Sequence, residues 1–244
     1  VTWRAPGALV VGLLLLAGCS SEVSGAASPA PVVGGATPTT SSGAPTEDNG
    51  GAEAGTVACE WVPDGSGDGV GTPPDEVPAE GTTTLVLTLG QGDLTLTLDA
   101  ASAPCAAAST AFLAQEGFFD GSPCHRLVDS SSFGVLQCGD PTGTGTGGPG
   151  YRFAQEVTED TSYPAGTVAM ANSGRPESTG SQFFLCFVDT QLSPDYTVVG
   201  TLDAAGLDVV REIAAAGHDG SLDPSPGGGA PNEPVVVESA RVTA

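Results

Sequence analysis

Cys124-His125-Arg126 sets a thiol, an imidazole and a guanidinium in consecutive positions, and Cys138 follows after a serine-rich stretch. These residue types allow a thiolate nucleophile, a general base, a metal pair or a clamp for a carbonyl or an anion. A Cys–His nucleophile pair needs both side chains on one side. Adjacent residues of a strand point to opposite faces, so a strand over 124–128 puts Cys124 and Arg126 on one face and His125 on the other. His125 then reads as a core or interstrand hydrogen-bonding histidine. A zinc site wants four ligands at short spacing, and the chain has only His125 and His218 and no Cys-x-x-Cys. No metal and no cofactor is expected. Arg126 is left: a permanently charged planar donor that, beside Gln137 on a partner strand, suits polarising a carbonyl or an amide nitrogen. Spacing alone leaves open that it is a surface ion-pair partner.

A second motif, Gly143-Thr144-Gly145-Thr146-Gly147-Gly148, matches G-x-G-x-x-G. Dinucleotide binding needs a strand before that motif and a helix N-terminus after it. Here Pro149-Gly150 and the strand-like Tyr151-Arg152-Phe153 follow, so the glycines read as a long loop folding back tightly.

The elements that position these residues begin at Thr82. In TTTLVLTLGQGDLTLTLDA, Leu85, Leu87 and Leu89 alternate and Leu94, Leu96 and Leu98 match them, which predicts a hairpin with one buried face. APCAAASTAFLAQEGFF predicts a helix with Pro104 in its first turn and Gly117 at its stop. Short strands are expected over 124–128, 134–138, 166–171, 182–187 and 197–202, a second helix over about 206–216, and a last strand in PVVVESARVT. Many short strands with two helices predict a mainly β fold, a closed antiparallel barrel capped at its ends.

The rest of the chain bounds the setting. Against 29 acidic residues stand 6 basic ones, all arginine, a balance that repels phosphate backbones and excludes nucleic acid as a partner. Residues 1–18 read as a lipoprotein signal peptide, with Arg4, an apolar run from Ala8 to Leu16, and Leu16-Ala17-Gly18-Cys19 as a lipobox. Cys19 is the expected lipid attachment, so the membrane is a partner through that lipid and the location is extracytoplasmic. Residues 19–56 are Ser-, Gly-, Ala-, Pro- and Thr-rich and read as a disordered tether. Residues 57–81 read as a partly ordered extension with Cys59 beside Trp61. Five cysteines remain once Cys19 of the six carries lipid. If 124–128 and 134–138 form a hairpin, Cys124 and Cys138 meet at one end; Cys59 with Cys105 is the second expected bridge, and Cys186 the leftover buried thiol. Other pairings stay open at this stage.

GFFDGSPCHR, LQCGDPTGTGTGGPGYRF, GTVAMANSG, GSQFFLCF and TVVGTL follow one another between 117 and 202. Together they resemble the cyclophilins, the cyclosporin-binding class of peptidyl-prolyl cis-trans isomerases. The resemblance covers 82–244 and implies an eight-stranded antiparallel barrel with two capping helices, a proline-containing polypeptide as partner, and a monomer. It implies that Arg126 is the catalytic arginine and Gln137 the residue that orients it. It places Ala171, Asn172 and Ser173 along the substrate backbone and Gln182, Phe184 and Leu192 at the proline pocket, with Val135 where methionine is usual.

The chain also departs from that pattern. It is three residues longer between Arg126 and Gln137, at Asp129-Ser130-Ser131-Ser132. Gly134 stands where a pocket phenylalanine is expected, with Phe133 beside it, so either Phe133 fills the site or its floor is looser. One extra residue lies in 174–179. Gln191 replaces the tryptophan that favours cyclosporin, and Tyr196 replaces a pocket histidine. The expectation is an active isomerase with altered side-chain preference and poor cyclosporin sensitivity; the rival is a proline-peptide-binding module without turnover.

Overall fold

The leucine alternation folds as written. In a computed structural model that describes residues 55–67 and 69–243, β4 (Thr82–Leu89) and β5 (Gly92–Asp99) pair antiparallel, with Leu85 opposite Leu96 and Leu87 opposite Leu94. All six leucines are buried, each contributing about 1.5–3 kcal/mol of hydrophobic stabilisation. The expected signal peptide, Cys19 and the expected tether up to residue 54 lie outside the described residues.

Ahead of this hairpin come three short strands, β1 (Thr56–Ala58), β2 (Val62–Pro63) and β3 (Glu76–Pro78). After it run α1 (Pro104–Gln115), β6 (Ser122–Pro123), β7 (Arg126–Ser130), β8 (Phe133–Cys138), β9 (Tyr151–Arg152), β10 (Thr167–Met170), β11 (Phe183–Cys186), β12 (Val198–Leu202), α2 (Ala204–Ala215) and β13 (Val236–Thr243). Nine of the strands form one curled sheet in the order β6-β13-β4-β5-β12-β10-β11-β8-β7. The fold is mainly β with two helices, as expected, but the sheet is open and nine-stranded where a closed eight-stranded barrel was expected. The reason is a break in one segment. Residues 122–130 were expected to hold one strand over 124–128; instead β6 pairs with β13 at one edge and β7 with β8 at the other. Cys124 and His125, between them, belong to neither ladder.

That break also overturns the expected facing of Cys124. It turns into the main core, where it bonds Cys138, whereas Arg126 stands opposite Gln137 on the other face of the sheet. The second expected bridge, Cys59–Cys105, is present too, and Cys186 is a free buried thiol. Burial pushes the Cys186 thiol up to about 11, with a Thr190 hydrogen bond opposing, so it carries no thiolate chemistry at neutral pH.

The extension touches the rest of the fold at a few points. β1 pairs with β3 and β2 with β9. Trp61 stands edge-on to Tyr151 and Phe153, with centroids 5.5 and 5.3 Å away. Helix α1 shows a similar long-range closure. Its N-cap, Ala103, has no side chain to offer, and the Glu156 carboxylate accepts from Cys105 N and Ala106 N, both at 2.9 Å. An anion at that end also opposes the helix dipole. Among the described residues no helix is long and apolar enough to cross a membrane.

Candidate active site

Cross-strand partners share a face of a sheet, so register assembles the site. Arg126 lies opposite Gln137, Gln137 opposite Phe184, and Phe184 opposite Ala169, a row across β7, β8, β11 and β10. The neighbouring row is Val128, Val135 and Cys186. Leu127, Leu136 and Leu185 point the other way, into the main core.

Arginine has only donors, and that polarity propagates. Arg126 Nη1 donates to Gln137 Oε1 at 3.2 Å, Gln137 Nε2 to Gln182 Oε1 at 2.9 Å, and Gln182 Nε2 to the Gly147 carbonyl at 2.9 Å. Each amide is thus held at both ends. Burial lowers the Arg126 pKa from its ordinary value, with Tyr196 acting against it. A partly desolvated guanidinium interacts more strongly with a carbonyl than one in water.

Beside the arginine lies an apolar patch. Val135 and Phe184 are buried with Val128, Tyr163, Ala169 and Cys186, and Phe133, Ala171, Leu192 and Tyr196 pack against them. The Phe184 and Tyr196 rings meet edge-on with centroids 5.5 Å apart. Phe133 brings its ring 5.8 Å from Arg126 Cζ, a cation–π contact. The Ser-rich stretch is therefore no loose detour. It lengthens the hairpin, with Ser130 opposite Phe133 and Asp129 opposite Gly134, and so swings Phe133 onto the Arg126 face. Gly134, expected along the substrate, lies on the opposite face against Phe187 and Val188.

Asn172 anchors the far side. Its Nδ2 donates to the Asp195 carbonyl at 2.8 Å and its Oδ1 accepts from Gly174 N at 2.9 Å. Its side chain is thereby fixed, while among the described residues its own N–H and C=O take no hydrogen bond. Ala171 N is already bonded to Gln182 O at 2.8 Å, and Ser173 N to Ser178 Oγ at 3.1 Å. A cavity of 410 Å³ opens on this side, lined by Gln137, Ala171, Asn172, Ser173 and Gln182 together with residues the sequence did not single out, among them Asp64, Ser66 and Arg152. Arg126, Phe184, Leu192 and Tyr196 do not line it.

Three further features lie around the site, and the roles of Tyr163 and Asp140 in them escaped the sequence reading. Tyr163 accepts from Tyr196 N at 2.9 Å, and its hydroxyl is 3.2 and 3.1 Å from the Ser193 and Tyr196 carbonyls. It thus holds the 192–196 segment under the patch; a lone loop aromatic carries no periodic signal. The glycine-rich loop wraps its own acid. Buried Asp140 accepts from Thr142 N at 2.8 Å, Thr142 Oγ1 at 2.7 Å, Gly145 N at 2.7 Å and Gly147 N at 3.1 Å. Burial works to raise its pKa, but the Thr142 hydroxyl and the backbone donors outweigh it and the net shift is downward. The Gly145 and Gly147 N–H groups that a phosphate would need are consumed. His125, expected as a core or interstrand hydrogen-bonding histidine, has its Nδ1 buried without a partner among the described residues. Burial lowers its pKa, with Asp140 opposing and Arg126 reinforcing.

The comparisons with known proteins bear on the family and the fold. Residues 84–242 match the family model "Cyclophilin type peptidyl-prolyl cis-trans isomerase/CLD". The "Probable peptidyl-prolyl cis-trans isomerase B" of Mycobacterium leprae is 46% identical over 164 residues, 62% of this chain and 54% of that protein. The Helicobacter pylori (strain 26695) "Peptidyl-prolyl cis-trans isomerase" is 43% identical over 126 residues, 50% of this chain and 75% of that one. The chain spans about half the length of its mycobacterial B-type relatives. A crystal structure of a Cryptosporidium parvum cyclophilin type isomerase, obtained in the presence of the dipeptide Ala-Pro, shares the fold. It has a TM-score of 0.57 and 25% identity, covering 66% of this chain and 99% of that one. The chain belongs to the cyclophilin type peptidyl-prolyl cis-trans isomerase family.

Proposed function

We propose that this chain accelerates cis-trans isomerisation of X–Pro bonds in exported polypeptides, with Arg126 as the catalytic group. The observation that carries the reading is one face of the sheet holding both a guanidinium fixed by the Gln137–Gln182 relay and an apolar patch of Phe133, Val135, Phe184, Leu192 and Tyr196. An X–Pro bond resists rotation by roughly 20 kcal/mol because of amide resonance. Lowering that barrier takes no covalent step. The patch holds the proline ring, the Asn172 backbone holds the preceding chain, and Arg126 approaches the prolyl carbonyl and imide nitrogen. As the bond twists, the nitrogen lone pair localises and accepts a hydrogen bond it could not accept when planar. That interaction is strongest at the twisted state, which is what lowers a barrier. Export is supported by the two disulfides, and anchoring by lipid on Cys19 would keep the catalyst where exported chains emerge.

A non-catalytic proline-peptide-binding role is the second reading, favoured by the fact that three Arg126 donors are already bonded within the chain. A protease-coupled proline-peptide assay on the full chain separates the two. The expected result is catalysis well above the uncatalysed rate and a loss of about a hundredfold in Arg126→Ala, typical for removal of a preorganised donor. A wild-type rate equal to the blank would leave the binding role, and an unchanged rate in the variant would remove Arg126 from the mechanism.

A further inference from the structure

Arginine carries five N–H donors, and one of the three that Arg126 commits goes to Gln137. The other two reach main-chain carbonyls about a hundred residues away: Nε donates to Gly227 O at 3.0 Å and Nη2 to Pro226 O at 2.9 Å. Those bonds occupy one edge of the guanidinium and set its plane, leaving one hydrogen on each Nη for a substrate. The carbonyls belong to the irregular segment between α2 and β13, and such a segment orients an arginine only if it is itself held.

It is held from inside and from outside. Asp223 Oδ1 accepts from Gly228 N at 2.8 Å. Around that bond the turn closes on itself, Gly227 N on Leu222 O and Leu222 N on Gly228 O, both at 3.0 Å. Gly228 has φ +79°, and a side chain there would collide with the Leu127 carbonyl, so the turn seats directly on the residue after Arg126. Gly229 then bridges Leu127 in both directions, at 2.8 and 3.0 Å. At the segment's start His218 Nδ1 accepts from Gly220 N at 3.1 Å, and Nε2 lies 3.2 Å from Asp129 Oδ1 in the lengthened hairpin.

We propose that Asp223 is a positioning residue for the isomerase reaction: by closing the Leu222–Gly228 turn it aims the Pro226 and Gly227 carbonyls at Arg126 and so fixes the plane in which the guanidinium meets the X–Pro bond. The proposal rests on the reading of Arg126 as the catalytic group. Asp223 is exposed, so its replacement leaves the core intact.

The test uses the full chain with Asp223→Ala, Asp223→Asn, Arg126→Ala and the Asp223→Ala/Arg126→Ala pair. Asp223→Ala should lower kcat about tenfold with KM within about twofold, since misaiming a group costs rate without removing binding surface. Asp223→Asn keeps an oxygen for Gly228 N and should restore the rate to within about twofold of wild type. On the Arg126→Ala background, Asp223→Ala should cost nothing more. The 15N spectrum gives a second readout. With six arginines and no lysine, the Arg126 Nε–H signal is assignable by its loss in Arg126→Ala, and it should exchange with water faster in Asp223→Ala than in Asp223→Asn. Several results would overturn the proposal. These are unchanged kcat in Asp223→Ala, equal losses in both Asp223 variants, unaltered Nε–H exchange, or a rise in kcat/KM, which would make the carbonyls competitors of substrate. If Arg126→Ala alone keeps wild-type activity, the catalytic reading falls, and the exchange measurement still decides whether Asp223 sets Arg126.

Discussion

Putting phenylalanine back at position 134 tests the pocket's construction. The family resemblance calls for an aromatic three residues before Gln137, and Gly134 stands there. If the lengthened hairpin has handed that role to Phe133, Gly134→Phe should harm the fold without improving catalysis. A Cβ built on Gly134 would lie 2.7 Å from Val188 Cγ2 and 2.9 and 3.0 Å from two Phe187 ring atoms. Ordinary carbon contacts sit at about 3.5–4.0 Å. Even the first added atom therefore displaces its neighbours, and the ring beyond it has to enter the face that buries Leu136 and Phe187. Overpacking typically costs about 1–3 kcal/mol, and a whole phenyl group belongs at the upper end, about 3 kcal/mol. For a domain of this size that is a fall in Tm of roughly 6–12 °C.

Urea unfolding followed by Trp61 fluorescence measures the stability and the coupled peptide assay the turnover. Gly134→Phe should be less stable by about that amount, with no gain in kcat/KM. Phe133→Ala should show the converse. Its loss of the cation–π contact and of half-buried area is worth about 2 kcal/mol, and kcat/KM should fall about tenfold because one wall of the patch and the face of Arg126 are stripped. A Gly134→Phe protein of wild-type stability and higher turnover would refute the facing assigned to both residues.

The two disulfides should contribute unequally. Bridges at sequence separations of 46 and 14 restrict the unfolded chain by about 4 and about 3 kcal/mol respectively, so Cys59→Ser/Cys105→Ser should lower the urea-derived stability more than Cys124→Ser/Cys138→Ser. The reverse order would mean that the extension detaches locally and does not unfold with the sheet. His125 should make the fold acid-sensitive. Its imidazole titrates below the ordinary value chiefly through burial, so the unfolded chain binds its proton first as pH falls past about 6.5. Its contribution is then intact above that range and is lost progressively below it. Comparing urea midpoints between pH 7 and 5, His125→Gln should flatten the decline; an equally steep decline in the variant would assign the acid sensitivity elsewhere.

What the chain discloses locally and what it withholds divide along sequence distance. Period-two leucines announce the β4–β5 hairpin because one residue's facing dictates the next. Small residues framed by Pro104 and Gly117 announce α1 for the same reason. The break at Cys124-His125 has no such signature. Both flanks are strand-like, and only β13, more than a hundred residues on, takes β6 away from β7. Gly134 misleads because a count from Gln137 assumes a fixed hairpin, and Asp129 and Ser130 extend it. Polar closure is remoter still: the first turn of α1 is completed by Glu156 and the guanidinium of Arg126 by Pro226 and Gly227. An arginine on a strand is common. One whose Nε, Nη1 and Nη2 each meet a fixed oxygen, beside aromatic rings and with a donor edge left open, has had its orientational entropy removed before any substrate arrives. That prior ordering, supplied by residues 11, 100 and 101 positions away, is the part of the site that residue type alone could not display.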